Sequence, residues 1–109
     1  MEKTFLVDAS IVSVYDSIGT NKAYLGDVLA GVVIEDETFR FRPYEQIITS
    51  KIVSKRIVDN RMEVITHNGN CYLLSDAPKL FKITPDELAV MCVGQYSAKT
   101  ILELRKQSR

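Results

Sequence analysis

Two spacings of apolar residues divide the chain, a period of two through its middle and a helical spacing after residue 84. The middle is the clearer. Ile52-Val53-Ser54-Lys55-Arg56-Ile57-Val58 is rich in β-branched residues and stops at Asp59-Asn60, a pair suited to a tight turn. Met62-Glu63-Val64-Ile65-Thr66 follows. Asn68-Gly69, whose two residues tolerate positive φ, then closes a hairpin onto Cys71-Tyr72-Leu73-Leu74. These runs predict a three-strand antiparallel meander from Ile52 to Leu74. Upstream, Thr38-Phe39-Arg40-Phe41-Arg42 alternates, which predicts a strand with Phe39 and Phe41 on one face and Arg40 and Arg42 on the other. Pro43-Tyr44-Glu45-Gln46 reads as a turn, and Ile47-Ile48-Thr49-Ser50 resumes extended chain. Tyr24–Ile34 and Ile11–Tyr15 read as two further strands, with residues 16–23 a loop between them.

The C-terminal third has different punctuation. Thr84-Pro85-Asp86-Glu87 is a capping box. The Thr hydroxyl accepts an orphan backbone N–H, Pro takes the first helical position, and Glu reaches back from the third. Leu88, Met91 and Cys92 then share a face, and Gly94 ends or bends the helix. Ser97 caps a second helix in which Ile101, Leu102 and Leu104 point inward while Arg105 and Arg109 share a face at i, i+4. The predicted fold is therefore α+β, a single domain over 1–109. A twisted antiparallel sheet of meander type covers about 5–75, and a helical element over about 84–107 packs on it.

At 109 residues the chain is one domain's worth, and 46% hydrophobic with 26% charged residues is ordinary soluble composition. No apolar run approaches the length of a membrane span, and Met1–Ser10 lacks the basic start and apolar stretch of a signal peptide. A cytoplasmic protein with no membrane contact is expected. Fourteen basic and fourteen acidic residues cancel, but unevenly. Residues 1–37 hold two Lys against seven acids, and residues 38–61 hold six bases against two acids. A duplex reader carries an overall basic excess, so nucleic acid is disfavoured as a partner. The local basic excess suits a small anionic ligand, or is a solvated strand face opposite an acidic neighbour. Cys71 and Cys92, both in apolar surroundings, read as reduced buried thiols.

Catalytic patterns are scarce. His67, the one histidine, precedes a hairpin turn and has no nucleophile or triad spacing beside it. Glu35-Asp36-Glu37 alternate sides of a strand and do not converge on one ion, so a solvated loop is expected there. No enzyme activity, metal or cofactor is expected. Binding is the better reading. Arg40 and Arg42 on one strand face can fork onto phosphate oxygens, and Phe39, Phe41, Tyr44 or Tyr72 can stack on a base, although core packing is the commoner use of the two Phe. Arg105 and Arg109 either close an anionic pocket or form a basic helix end favoured by the macrodipole.

Phe39-Arg40-Phe41, Ile47-Ile48-Thr49-Ser50-Lys51-Ile52, Val64-Ile65-Thr66-His67-Asn68-Gly69 and Tyr72-Leu73 together carry a resemblance, with a weaker likeness in the terminal helix. The pattern resembles small phage-encoded Thoeris anti-defence proteins of the first type. The resemblance implies a non-enzymatic homo-oligomer in the host bacterial cytoplasm. It would sequester a cyclic ADP-ribose isomer made by a bacterial immune TIR protein, uncleaved, as a sponge. The positions carried over as ligand-binding are Phe39 and Arg40, Asn68 at the hairpin, and Arg105 and Arg109 on the last helix. Two other classes stand beside this reading. A protein-interaction module would show an exposed apolar patch rather than a basic pocket. A nucleic-acid binder built on the basic middle segment would lose affinity steeply with salt.

Overall fold

The computed structural model describes residues 2–18 and 21–107, with the side chains of residues 17 and 18 left aside. Six strands and two helices follow one another: β1 (Lys3–Ile18), β2 (Asn21–Asp36), β3 (Gln46–Val58), β4 (Arg61–Thr66), β5 (Cys71–Leu74), β6 (Lys79–Ile83), α1 (Pro85–Gly94) and α2 (Ala98–Gln107). Strands β1 to β5 pair in sequence, each antiparallel to the one before. The sheet then closes, because β5 pairs with the first residues of β1. Five alternating strands leave the fifth running in the direction of the first, so that closing seam is parallel. The expected twisted meander is thus closed into a barrel, which removes most of its exposed edges.

Strand β1 holds the two halves together by changing partner. Lys3–Leu6 pairs with β5, whereas Ser10–Val14 pairs in parallel with β6, a strand the sequence reading omitted. The switch falls at an irregularity between Val7 and Ser10, where Asp8 has φ 50°. A bulge bends a strand and increases its twist, and here it carries β1 out of the barrel wall and onto β6. The consequence is two cores. Leu6, Ile11, Leu29, Val33, Ile47, Val64, Tyr72 and Leu74 fill the barrel. On the other face, Val12, Val14 and Ala30 pack against Ile83, Met91, Ala98 and Ile101 of β6 and the helices. Residues adjacent in sequence therefore bury opposite faces, which is why Ile11-Val12 and Leu29-Ala30 show no polar alternation.

Several local expectations are corrected. Thr38–Arg42 is not a strand but part of the loop between β2 and β3, and Phe39 there has φ 58°. Of the loop expected over residues 16–23, residues 16–18 belong to β1 and residues 21–23 to β2, while residues 19 and 20 lie outside the described residues. Ile47–Ser50 and Ile52–Val58 are one continuous strand. Asp59 and Asn60 both take positive φ, as a two-residue hairpin of the right twist requires. At the next hairpin only Gly69 does (φ 81°), while its N–H bonds the Thr66 carbonyl and the Thr66 N–H bonds Asn70. That is a three-residue loop ending in a left-handed glycine. A Cβ at Gly69 would meet nothing within 4 Å. Gly69→Ala is therefore expected to cost only the backbone term, about 1 kcal/mol by denaturant titration.

The helices form as their caps dictate. Thr84 Oγ1 accepts the Glu87 N–H and the Glu87 carboxylate accepts the Thr84 N–H, completing the box. Helix α1 ends at Gly94 with Gln95 left-handed. Ser97 Oγ accepts the Thr100 N–H at the start of α2. Met91 and Ile101 are buried, but Cys92 is exposed and Leu104 is 40% exposed, against expectation. One residue beyond Met91 the helix has turned about 100°, so Cys92 faces solvent. Cys71 is buried as expected.

Candidate functional site

Asp36 organises the first group of predicted residues. Its Oδ1 accepts hydrogen bonds from Thr4 Oγ1 (2.9 Å), the Thr38 N–H (2.9 Å) and Thr38 Oγ1 (2.5 Å). Its Oδ2 accepts from the backbone N–H of Arg40 (2.7 Å) and Phe41 (2.8 Å). The expected solvated acidic loop is instead a carboxylate hub that fixes the residues after β2. Arg40 is held through its backbone N–H and its side chain is exposed. Its guanidinium lies 4.7 Å over the Phe41 ring and 6.0 Å from the Tyr72 ring, and its Nε donates to Thr38 Oγ1 at 2.8 Å. Phe41 packs against the barrel core, whereas Phe39 is 91% exposed. The alternation predicted for this stretch fails because a left-handed residue stands in its middle. Asn68 is exposed in the β4–β5 hairpin.

Partial burial pushes the Asp36 carboxyl up, but the bonds from Thr38, Phe41 and Thr4 outweigh it and hold the carboxyl well below its usual range. The hydrogen-bonded Lys3 does the same to Glu63, which also receives Arg56, and Arg105 does it to Glu87. All three folded-state values lie below the unfolded ones, so their stabilisation is complete above about pH 4.5 and is lost as pH falls through the folded values. Thermal midpoints are expected to drop progressively as pH falls below about 5. Asp36→Asn should be less stable than the parent at neutral pH and converge with it in acid.

Arg105 belongs to a different place. It lines a cleft of about 500 Å³ with Tyr15, Lys22, Lys82, Ile83, Thr84 and Glu87. The register builds one wall. Tyr15 pairs with Tyr24, Lys22 pairs with the residue two beyond Tyr15, and Lys82 pairs with Ser13, two before it. With a period of two these side chains share one face of the sheet. The Tyr15 and Tyr24 rings stand 5.3 Å apart at 51°, and Lys82 Nζ lies 5.7 Å over the Tyr15 ring. The rest of the lining is Ile83 and Thr84, Glu87 in the first turn of α1, and Arg105 near the end of α2. There Arg105 forks onto Glu87, Nε to Oε2 at 2.8 Å and Nη2 to Oε1 at 2.6 Å, and Nη2 also donates to the Lys82 carbonyl at 3.2 Å. Lys22 and Lys82 form no ion pair with any described residue.

The predicted residues thus fall into two groups within one chain. Arg40 reaches Thr4 near the start of β1, and Arg105 stands by Tyr15, eleven residues further along that strand. Arg109 lies outside the described residues. Sequence reasoning missed Tyr15, Lys22 and Lys82 as site residues. Their signal was a short apolar run, Leu80-Phe81-Lys82-Ile83, directly before the capping box. Read as a strand, it places Lys82 opposite the faces of its neighbours Phe81 and Ile83, both of which pack in the helix-side core. No group of three or more metal-binding side chains occurs among the described residues. Comparison with family models, curated proteins and solved structures finds no match to this chain.

Proposed function

We propose that the protein binds a small anionic nucleotide in the Tyr15–Lys82–Arg105 cleft and holds it without turnover. One observation carries the reading: three cationic side chains and a tyrosine line one concavity of about 500 Å³, and the one carboxylate among its described lining residues is already paired. Ammonium groups hold phosphate as point charges, and a tyrosine face stacks on a base. A cavity of this size suits a ligand of one or two nucleotide units. The ligand class implied by the family resemblance, a cyclic ADP-ribose isomer, has both features, and sequestration of such an immune signal is the activity proposed.

The proposed storage form is a homo-oligomer. Val93 on α1 is 89% exposed, with Val90, Tyr96 and Leu104 exposed on the same helical pair. Such a patch supports association. Phe39, Arg40 and Asn68 reach a ligand bound beside Arg105 only from another copy. Light scattering at micromolar concentration is expected to give a multiple of the chain mass, and a monomer contradicts this part.

The test of function is incubation with a panel of nucleotide signals, followed by heat release and mass spectrometry. Recovery of an intact cyclic ADP-ribose isomer is the expected result. Recovery of a hydrolysed product contradicts storage, and recovery of nothing contradicts binding. A second reading, a protein-interaction module, is favoured by the loop after β2. Asp36 ties down Thr38, Arg40 and Phe41 of that loop, from which Phe39 and Tyr44 project at 91% and 79% exposure, both at positive φ. Exposed aromatics are typical anchors of protein interfaces.

A further inference from the structure

Among its described lining residues the cleft holds Lys22, Lys82 and Arg105 against Glu87, two net positive charges. These charges are not equivalent. Both arginine nitrogens that face the cleft's acid are spent on it, and Nη2 is further committed to the Lys82 carbonyl. Glu87 is committed too, since Oε1 also accepts the Thr84 N–H that starts α1. Arg105 therefore bolts α2 to α1 and β6 at one point. A phosphate that took the Nε–Nη2 fork would have to expel the Glu87 carboxylate and would loosen the end of α2 in doing so, and at Nη1 it would meet a guanidinium whose charge Glu87 already balances. The two lysines carry no such commitment.

We propose that Glu87 is an internal counter-anion of this cleft: it occupies Arg105, leaves ligand phosphates to Lys22 and Lys82, and holds affinity for anions below what the cations could give. The inference rests on the cleft being the nucleotide site. Arg105 is then a positioning residue, and the charge that a ligand reads is that of two lysines. The site matches a ligand bearing two negative charges next to an aromatic ring, with Tyr15 beneath the ring. Neutralising Glu87 adds one net positive charge within several ångströms of the bound phosphates. At a partly exposed site this is worth about tenfold in affinity for an anion and nothing for an uncharged ligand.

Three proteins and three probes test this by calorimetry: the parent, Glu87→Gln and the double variant Glu87→Gln/Arg105→Gln, each with ADP-ribose, inorganic pyrophosphate and adenosine. Glutamine at position 87 preserves the capping box, so the fold is expected to persist, and thermal midpoints monitor it. Glu87→Gln is expected to bind ADP-ribose and pyrophosphate about tenfold tighter, with adenosine unchanged. The double variant restores two net charges and is expected to bind ADP-ribose as the parent does. Unchanged or weaker anion binding by Glu87→Gln overturns the counter-anion role. Loss of ADP-ribose binding by the double variant with its fold intact overturns the positioning role, because Arg105 would then touch the ligand. If the parent binds neither ADP-ribose nor pyrophosphate, the nucleotide site itself fails, and the counter-anion role falls with it.

Discussion

Replacing Met91 by Ala is expected to lower the unfolding free energy by about 3 kcal/mol, read as a shift in denaturant midpoint at constant slope. Met91 is wholly buried in the cluster with Val12, Val14 and Ile83, against which Leu88 of α1 packs only partly buried. Truncation removes apolar area and leaves a cavity that two short helices on a closed sheet cannot easily collapse. The effect should reach the cleft as well, because Thr84 and Glu87 at the start of α1 line it. Met91→Leu, nearly equal in volume, is expected to cost less than 1.5 kcal/mol, which separates lost packing from lost chemistry. A loss below about 1 kcal/mol for Met91→Ala would mean that α1 does not depend on this core.

The second large effect concerns binding. The double substitution Lys22→Ala/Lys82→Ala is expected to weaken ADP-ribose binding by about 100-fold, from hydrogen bonds to charged groups of roughly 1.5 kcal/mol each. Both side chains are exposed, so the melting temperature should hardly move. Lys82→Ala alone also removes the ammonium that sits over the Tyr15 ring. It is expected to perturb the tyrosine fluorescence, which Lys22→Ala should leave unaltered. By contrast, Phe39→Ala and Arg40→Ala, far along β1 from the cleft, are expected to leave the binding of an isolated protomer unchanged. In an assembled form the same two substitutions would weaken binding only if a neighbouring copy supplies those residues.

The parts of the fold written in local chemistry were legible. The β3–β4–β5 meander follows from β-branched alternation and two hairpin turns, and α1 follows from a complete capping box. What the sequence hid was the change of partner along β1. A bulge at Asp8 leaves no periodic mark, and the strands beside it bury both faces, so neither alternation nor a polar edge announced the barrel or β6. The same cause hid the cleft. Its wall depends on which residues of β2 and β6 stand beside Tyr15, a matter of long-range register rather than of spacing within a segment. Arg105 was found because a basic residue in a last helical turn is conspicuous; its pairing with Glu87, eighteen residues away, was not. Phe39 and Arg40 stood out by alternation and then took other positions, because Asp36 captures the backbone N–H groups of Thr38, Arg40 and Phe41 in place of a strand partner.

The location of the ligand decides the account most directly. Titration of the isotopically labelled protein with ADP-ribose, followed by amide and side-chain NMR shifts, reports it residue by residue. Saturable shifts clustered at Tyr15, Lys22, Lys82, Thr84 and Glu87 are expected. Shifts confined to the loop around Phe39 and Arg40, or a spectrum unmoved at millimolar ligand, would contradict that location.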